Sequence, residues 1–569
     1  MKVLRVKLLL HSGIIILLSL TMQKAGAQQT QWAAQLGAQS ANAMCGDSHQ
    51  NIYATGSFIG NVDFDPGPGH VYLPFNSGGN NTFISKMDSL GNLIWAKSIV
   101  GSDVTPWGVA TDNAQSVYIA GLFYSSADFN PDTLINYTLT ATNASSGNPD
   151  IFVLKLDSIG NFIWAFKIGT GGFESAGNLV VDQSGNIYIT GRYDNTCDFD
   201  PGSSVANLST SSPESVYIAK YNSAGQYVWV QSAQLSYYGE NERLATDYDH
   251  NGNIYIANYG EIAKVDTAGN FLIKKSFNNN PVSTQVYCNV TSLSCDYSGN
   301  VFVCGYFNDT IDFDTDSTTA FYVNAVGAYN TFVCHLNSSL ELVWVRQFTQ
   351  NGTNLSVAAN HAHAILVKDT LVYVAGVFTD TMDVNVPAGG SMLYEVAATP
   401  QDDFYDAYVV ALTNTGNYSW GESFGGNLLD RSTTIGASGD AVYIAGQFND
   451  TADFNNSPLV QTLMFNGVGS FNVFVLKFNA PAITTVKEGK SEEVQYFVYP
   501  VPVKNMLFFS ESILRNFYAF SVKDIAGREI INSKLMSSKL NVEALSNGVY
   551  IIEFFKSNNE NFKAKFIKE

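Results

Sequence analysis

The chain has 569 residues, 14% of them charged and 13% aromatic, with 47 glycines and a formal net charge of −20. That length exceeds one ordinary domain but suits a large repeat array with a small module attached, and the Tyr, Phe and Gly content leans all-β. Residues 28–486 hold 14 basic against 40 acidic residues, a surface that repels phosphates and anionic membranes and so excludes nucleic acid as a partner.

Residues 1–27 read as a secretory signal peptide. Lys2, Arg5 and Lys7 form its basic start, residues 14–20 its apolar run, and Ala25-Gly26-Ala27 its cleavage site, so the mature chain is expected to begin at Gln28. No cysteine follows at once, which argues against a lipid anchor. No later run approaches the ~20 apolar residues of a membrane-spanning helix, so no transmembrane segment is expected in the mature chain. The six cysteines are Cys45, Cys197, Cys288, Cys295, Cys304 and Cys334. An even number in an exported protein permits disulfides. Cys304 and Cys334, however, fall at strand positions where sister repeats carry Thr190 or Ala120 and Leu154 or Ala219, so buried thiols and bridges both stay open.

Residues 31–37, with Trp32, look like an outer strand with no repeat before it. A repeat then runs along the chain. Its first signature is a strand ending in glycine: Ile52-Tyr53-Ala54-Thr55-Gly56, then the strands ending at Gly121, Gly191, Gly305, Gly376 and Gly446, with Ile254-Tyr255-Ile256-Ala257 as a copy without glycine. Its second is a hairpin, Asp88-Ser89-Leu90-Gly91-Asn92 leading to Trp95 and Asp157-Ser158-Ile159-Gly160-Asn161 leading to Trp164, repeated before Trp229, Trp344 and Trp420. Glycine supplies the turn's positive φ, and Asp and Asn accept local turn geometry. With a weaker first strand, each unit has four strands, A to D, the size of a propeller blade. The last unit stops after its C strand near Phe478, and the orphan strand at residues 31–37 supplies the missing D. The expectation is a seven-bladed β-propeller over residues 28–480, closed by the N-terminal strand, which also pairs edges otherwise left open.

The Tyr-x-x-Gly strand, the Asp-Phe-Asp-Pro-Gly segment after it and the Asp-Ser-x-Gly-Asn-x-x-Trp hairpin resemble the exported bacterial β-propeller repeats of the SBBP type. The resemblance implies the fold and leaves the activity open, since that family is defined by its repeat.

Between strands B and C runs a long loop that carries Asp63-Phe64-Asp65 in the first unit. Its sisters are Asp128-Phe129-Asn130, Asp198-Phe199-Asp200, Asp312-Phe313-Asp314, Asp383-Val384-Asn385 and Asp453-Phe454-Asn455. Two carboxylates two residues apart on extended backbone point the same way, so Asp63, Asp65, Asp128, Asp198, Asp200, Asp312 and Asp314 are calcium candidates. The alternative is that the first Asp caps backbone N–H groups while the Phe plugs between blades. His361 and His363 lie one residue apart on an expected inner strand, either as metal ligands or as channel-lining histidines. The C–D hairpin is similar to the Asp-box of sialidase-type propellers. Sialidase chemistry needs clustered arginines, and Arg192, Arg243, Arg346 and Arg431 fall at unlike repeat positions. No G-x-S-x-G, H-E-x-x-H or P-loop pattern is present.

Residues 481–493 read as a charged linker, and residues 494–569 as a small β-sandwich with turns at Gly527 and Asn547-Gly548. Tyr499-Pro500-Val501-Pro502, the strand around Phe520-Ser521-Val522, Asn547-Gly548-Val549-Tyr550 and the terminal Lys565-Phe566-Ile567-Lys568 occur in the order that resembles the type IX secretion (Por) C-terminal sorting domain of Bacteroidetes-like bacteria. Val501 departs from the Asn frequent between those prolines. The resemblance implies type IX secretion machinery as a partner and a secreted or cell-surface location. The function expected is an exported binding or adhesion protein whose loops meet a glycan or protein. A carbohydrate-active enzyme and a purely structural surface protein are the alternatives, since paired carboxylates at a propeller centre leave no linear pattern.

Overall fold

The computed structural model describes residues 30–479, except 143–146, 213, 234, 236–243, 280–286, 317, 351–359, 386–390, 395–404, 455–461 and 465–469; beyond them it describes 498–499, 504–509, 513, 517–524, 527–535, 539–556 and 561–568. Residues 1–27, expected as a signal peptide, and 481–493, expected as a linker, lie outside the described residues. The chain divides into two compact units, Met1–Ala480 and Pro481–Glu569.

The larger unit is all-β and propeller-like. Its strands fall into antiparallel sheets of one plan, each ordered A-B-C-D. The first is Ala43–Gly46, Ile52–Phe58, Asn81–Met87 and Leu93–Gly101; the second Val104–Thr111, Val117–Phe123, Asp150–Leu156 and Phe162–Ile168. The third is Glu174–Val181, Ile187–Tyr193, Ser215–Tyr221 and Tyr227–Ser232; the fourth Ala245–Tyr248, Asn253–Asn258, Glu261–Asp266 and Phe271–Ser276. The fifth is Cys288–Cys295, Val301–Phe307, Asn330–Leu336 and Leu342–Gln350; the sixth His361–Lys368, Leu371–Phe378, Asp406–Thr413 and Tyr418–Gly426. The last sheet joins Arg431–Ser438, Ala441–Phe448 and Asn472–Asn479 to the N-terminal strand Thr30–Leu36. Trp32 pairs with Lys477 there, as Trp95 pairs with Lys86, Trp164 with Lys155 and Trp229 with Lys220, and the N-terminal strand carries the register shift that the other D strands carry one residue before Trp.

Apolar residues of strands B and C are buried on both faces, because each sheet is covered by its neighbours. The core therefore lies between units: Tyr53 and Ile84 of the first pack with Val109, Ile119 and Phe152 of the second. The strand-B tyrosines need a partner for the hydroxyl they bury. In the first three units the aspartate of the A–B turn accepts it, Tyr53 on Asp47 at 2.9 Å, Tyr118 on Asp112 at 2.8 Å and Tyr188 on Asp182 at 3.0 Å.

Strand B runs two residues past the glycine expected to end it, and that glycine is required by close approach. A methyl group on Gly191 would sit 1.8 Å from the carbonyl oxygen of Ser175, and one on Gly305 would sit 1.8 Å from that of Asn289. Strand A can press this close because it bulges at the next step. The register shifts between Pro106 and Gly108, Ala176 and Asn178, Val290 and Ser292, Ala362 and Ala364, and Ser432 and Thr434. One extra residue is left over in each: Trp107, Gly177, Thr291, His363 and Thr433. The fourth sheet, with Asn258 in place of the glycine, pairs without a shift in its described residues.

In the smaller unit, Val498–Tyr499, Met506–Phe509 and Lys539–Asn541 form one sheet and Ala519–Asp524, Glu529–Lys534, Gly548–Phe555 and Asn561–Lys568 another. Leu507, Phe509, Phe520, Val522, Ile552, Phe554 and Phe566 form their shared core.

Gly191→Ala should destabilise the chain by about 1–3 kcal/mol, the range for forcing an added carbon into a packed site. The midpoint of chemical denaturation measures it, and an unchanged midpoint would remove close approach as the reason for the glycine.

Candidate functional site

The Asp loops are built as capped turns. Asp63 Oδ1 accepts the N–H groups of Asp65 at 3.0 Å and Val71 at 2.9 Å; Asp128 Oδ1 accepts those of Asn130 and Tyr137. Asp198 Oδ1 accepts those of Asp200 and Ala206, and Asp312 Oδ1 those of Asp314 and Phe321. The second carboxylate does the same one step on: Asp65 accepts Gly67 N–H, Asp200 accepts Gly202 N–H, and Asp314 accepts Asp316 N–H. Burial works against the Asp63 charge, but hydrogen bonds from His70, Val71 and Asp65 hold its carboxyl below the ordinary range. Phe64, Phe129, Phe199, Phe313 and Phe454 are fully buried beside a strand-C aromatic, as in the Phe64–Phe83 and Phe129–Phe152 pairs at 5.2 and 5.0 Å. Among the described residues no group of three or more His, Cys, Asp or Glu is placed to hold a metal ion.

Several of the Asp loops also dock on the unit before them. Asp128 pairs with Val100 at the end of the first D strand, Asp383 with Thr349 and Asp453 with Gly425. In the first unit the strand that receives the loop is the N-terminal one, Gly37 N–H donating to Asp63 C=O at 2.9 Å. A second latch runs in the same sense. Trp95 Nε1 and Lys86 Nζ both donate to Ser158 C=O in the next C–D hairpin, and Trp32 and Lys477 both donate to Ser89 C=O. The hairpin glycine makes room for the preceding D strand: a methyl on Gly160, at φ 84°, would meet Lys97 at 2.9 Å and the Trp95 ring at 3.3 Å. Sequence reasoning found this glycine by its turn; the ring it accommodates comes from another unit.

The inner strands line a cavity of about 350 Å³. All five bulged residues line it, Trp107, Gly177, Thr291, His363 and Thr433, with Asn42 from the first unit and Asp247 and His250 from the fourth. Burial pushes the Asp247 carboxyl up to about 6 even though it accepts the Cys295 and Tyr248 N–H groups. Strict alternation would face His361 and His363 the same way. The bulge separates them: His363 lines the cavity with Nδ1 donating to Ser432 C=O at 2.8 Å, while His361 stacks on Tyr306 at 4.0 Å, its pKa lowered to about 4 by burial and then by His363.

Paired carboxylates do occur, at junctions between units. A methyl on Gly425 would sit 2.0 Å from Asp406 Oδ1 and 3.0 Å from Asp430 Oδ2, so the two carboxyls converge in the space beside that glycine, at 2% and 0% exposure. Burial, then Asp406, raises Asp430 to about 8. Glu174 is raised to about 7 by burial, then by Asp150 and Asp194. Sequence reasoning missed both sites, because the partners are far apart in the chain. The faint signal is that Asp150 and Asp406 open strand C where sister units carry Asn81, Asn330 and Asn472. The arginines stay dispersed: Arg192 pairs with Glu214 at 3.0 Å, Arg346 donates to Gly416 C=O and Arg431 to Gln447, while Arg243 lies outside the described residues. All six cysteines are free.

Residues 497–569 match the secretion system C-terminal sorting domain. That module marks the chain for type IX secretion to the cell surface or the extracellular space. An uncharacterised WD repeat-containing protein of Acanthamoeba polyphaga mimivirus is 26% identical over 258 residues, 40% of this chain, and the match spans only 18% of that relative's length. Among solved structures, the Pan2 WD40 domain of Neurospora crassa is similar at 9% identity and TM-score 0.32, over 66% of this chain and 89% of that one. PorZ, a surface component of the type IX secretion system of Porphyromonas gingivalis, is similar at 9% identity and TM-score 0.18, over 94% and 99%.

The Asp406–Asp430 pair predicts a pH effect. The folded chain holds the Asp430 proton up to about pH 8, whereas an unfolded aspartate releases it near pH 4. The unfolded state binds fewer protons in between, so this contribution is complete below about pH 4 and lost as pH rises through about 8. Asp406→Asn installs the residue of the sister units and removes the neighbouring charge. Its urea midpoint should fall less than that of the wild type between about pH 5 and 8, and equal slopes in both proteins would show that the pair is not coupled.

Proposed function

We propose that residues 28–480 form a seven-bladed β-propeller closed by the N-terminal strand, and that the chain is an exported binding or adhesion protein whose propeller engages a glycan or protein ligand. Residues 1–27 direct export, and residues 494–569, joined through the linker 481–493, hand the chain to the type IX machinery. The closing arrangement is supported by Trp32 standing opposite Lys477 in the register of the other Trp–Lys pairs. It is supported again by Trp32 and Lys477 gripping Ser89 as their counterparts grip the next unit.

The observation that carries binding over catalysis is where the carboxyls lie. Asp406, Asp430, Asp150 and Glu174 are each at most 2% exposed, sealed in junctions where no glycosidic bond could reach them. A glycosidase needs two carboxyls, one on either side of the substrate, and among the described residues the cavity is lined by one, Asp247. The rest of its lining, hydroxyls, one indole, imidazoles and apolar walls, is suited to holding a ligand. The Asp loops serve this reading as capped turns, with one oxygen of each carboxylate already accepting backbone N–H groups.

Two outcomes are expected. Thermal unfolding of the mature chain should shift upward with at least one member of a polysaccharide panel, since a ligand that prefers the native state raises its stability, whereas chelator alone should leave the transition in place. Absence of any shift across the panel would sink glycan binding, and a fall with chelator would restore calcium to Asp63 and its sisters. A chain truncated after Ala480 and expressed in a type IX-competent host should accumulate folded in the periplasm, and its appearance in the medium would refute the assigned role of the tail.

A further inference from the structure

We propose that the junction between the sixth and last units is a binding site for the mature N-terminus of the chain itself, with Glu422 as the counter-ion of the Gln28 α-ammonium and Trp420 as donor to an oxygen of the same residue. The inference rests on the reading of residues 1–27 as an export signal cut before Gln28, and it gives that cut a role in closing the array.

The repeat provides the control. At other junctions the strand-D tryptophan and the residue two places on meet the C–D hairpin of the next unit. Trp32, Trp95, Trp229 and Trp344 each donate to a hairpin carbonyl. Two places after Trp95 stands Lys97, which a methyl on Gly160 would meet at 2.9 Å, and two places after Trp344 stands Arg346, whose Nε donates to Gly416 C=O at 2.7 Å. The sixth unit meets no continuous hairpin, because strands C and D of the last unit, Asn472–Asn479 and Thr30–Leu36, come from opposite ends of the array. There Glu422 stands in place of the cation, and Ala411 pairs with Trp420 as Lys86 pairs with Trp95. Among the described residues Trp420 Nε1 and Thr30 Oγ1 are buried without a hydrogen-bond partner, each in a residue only 6% exposed. Glu422 is 4% exposed, and burial alone raises its carboxyl to about 7. The three share one corner. Residues two apart on a strand face the same way, so Glu422 points with Trp420 and Phe424 toward Phe478, whose ring lies 5.6 Å from the first aromatic and 6.0 Å from the second. Thr30 stands directly opposite Phe478 and so faces the same side.

Register identifies the missing partner. Thr30 stands opposite Phe478 as Leu93 stands opposite Met87 and Phe162 opposite Leu156. Two residues before those strand-D positions lie Gly91 and Gly160, the hairpin glycines at which a methyl would meet the Trp32 and Trp95 rings at 3.1 and 3.3 Å. Two residues before Thr30 lies Gln28, outside the described residues. The same count therefore brings Gln28 to Trp420 and Glu422. A chain cut before Gln28 carries an ammonium where the sister units carry a peptide group, and the side chain facing it is reversed to match. Arg346 offers N–H to a carbonyl, and Glu422 offers a carboxylate to a cation. In the uncut chain the same nitrogen is a neutral amide, and the ammonium is elsewhere. Removal of the signal thus supplies the last charge that the closed array uses, after export has begun.

Urea unfolding at neutral pH tests this on the mature chain beginning at Gln28 and on the same chain extended by Ala25, Gly26 and Ala27. The form beginning at Gln28 should have the higher midpoint, with an unfolding equilibrium constant about tenfold smaller. Glu422→Gln should remove the difference, since the cycle isolates the pair. The α-amine should also acylate several-fold more slowly in the wild type than in Glu422→Gln, because a paired ammonium holds its proton. Equal midpoints for the two starts, or equal acylation in the two proteins, would overturn the inference. So would an exported protein lighter by one ammonia, in which Gln28 has cyclised and lost its charge. Mass mapping of the exported N-terminal peptide separates this result from the reading beneath it. A start at another residue refutes the expected cut, whereas a start at Gln28 with equal midpoints refutes the ion pair alone.

Discussion

The approach of the inner strand to the glycine near the end of strand B is the constraint on which the rest of the larger unit depends. With backbone oxygen 1.8 Å from where a Cβ would stand, the A and B strands meet more tightly there than two side-chain-bearing strands can. The tension is released one step on, in a bulge that turns an extra residue toward the centre. Bulged side chains then bond the inner strand of the next unit, Thr291 to Ala362, His363 to Ser432 and Thr433 to Ala41. In the units that carry the glycine, one missing side chain thus sets how closely the inner strand approaches strand B and which residue the bulge turns toward the cavity.

Outside that belt, D strands receive the next unit in two ways. Several take the Asp loop at their end, and Trp32, Trp95, Trp229 and Trp344 donate to the next C–D hairpin, the first three together with a strand-C lysine. Each hydrogen bond contributes only about 1 kcal/mol net, but the pattern recurs at junction after junction and is not spared at the N-terminal strand. There Gly37, Trp32 and Lys477 repeat contacts made elsewhere by continuous chain. Joining the first strand of a long chain to its last sheet carries a large loop-closure cost, though one that grows only logarithmically with length. The latch made by Trp32 and Lys477 works against that cost.

How much of this was legible in the sequence follows from which interactions are local. The Tyr-x-x-Gly strand, the Trp hairpin and the orphan N-terminal strand could be read because their signals lie within a few residues. The Asp loops were ambiguous because the spacing that aims two carboxylates at an ion also lets the first carboxylate bond the second residue's N–H. Phe64 and its sisters, all buried, favour the capped turn. The bulged residues have no type in common and could not be found by pattern. The Asp406–Asp430 and Asp150–Glu174 sites join a C strand to the inner strand of the following unit, so no window along the chain contains their geometry.

The buried carboxyls also separate what the scaffold needs from what a ligand could use. An acidic group sealed at a junction is a cost, tolerated where a proton or a lysine such as Lys167, 2.9 Å from Asp150, offsets its charge. It can do nothing for a substrate that cannot reach it. The groups left to meet a ligand are therefore those the repeat did not standardise: the residues of the inner bulges and the exposed tips of the outer loops. The two sets differ in kind, because the loops recur around the unit while the cavity occurs once. Stoichiometry therefore divides them: an exported scaffold binding through its repeats would hold several copies of a ligand, and one binding through its centre would hold one.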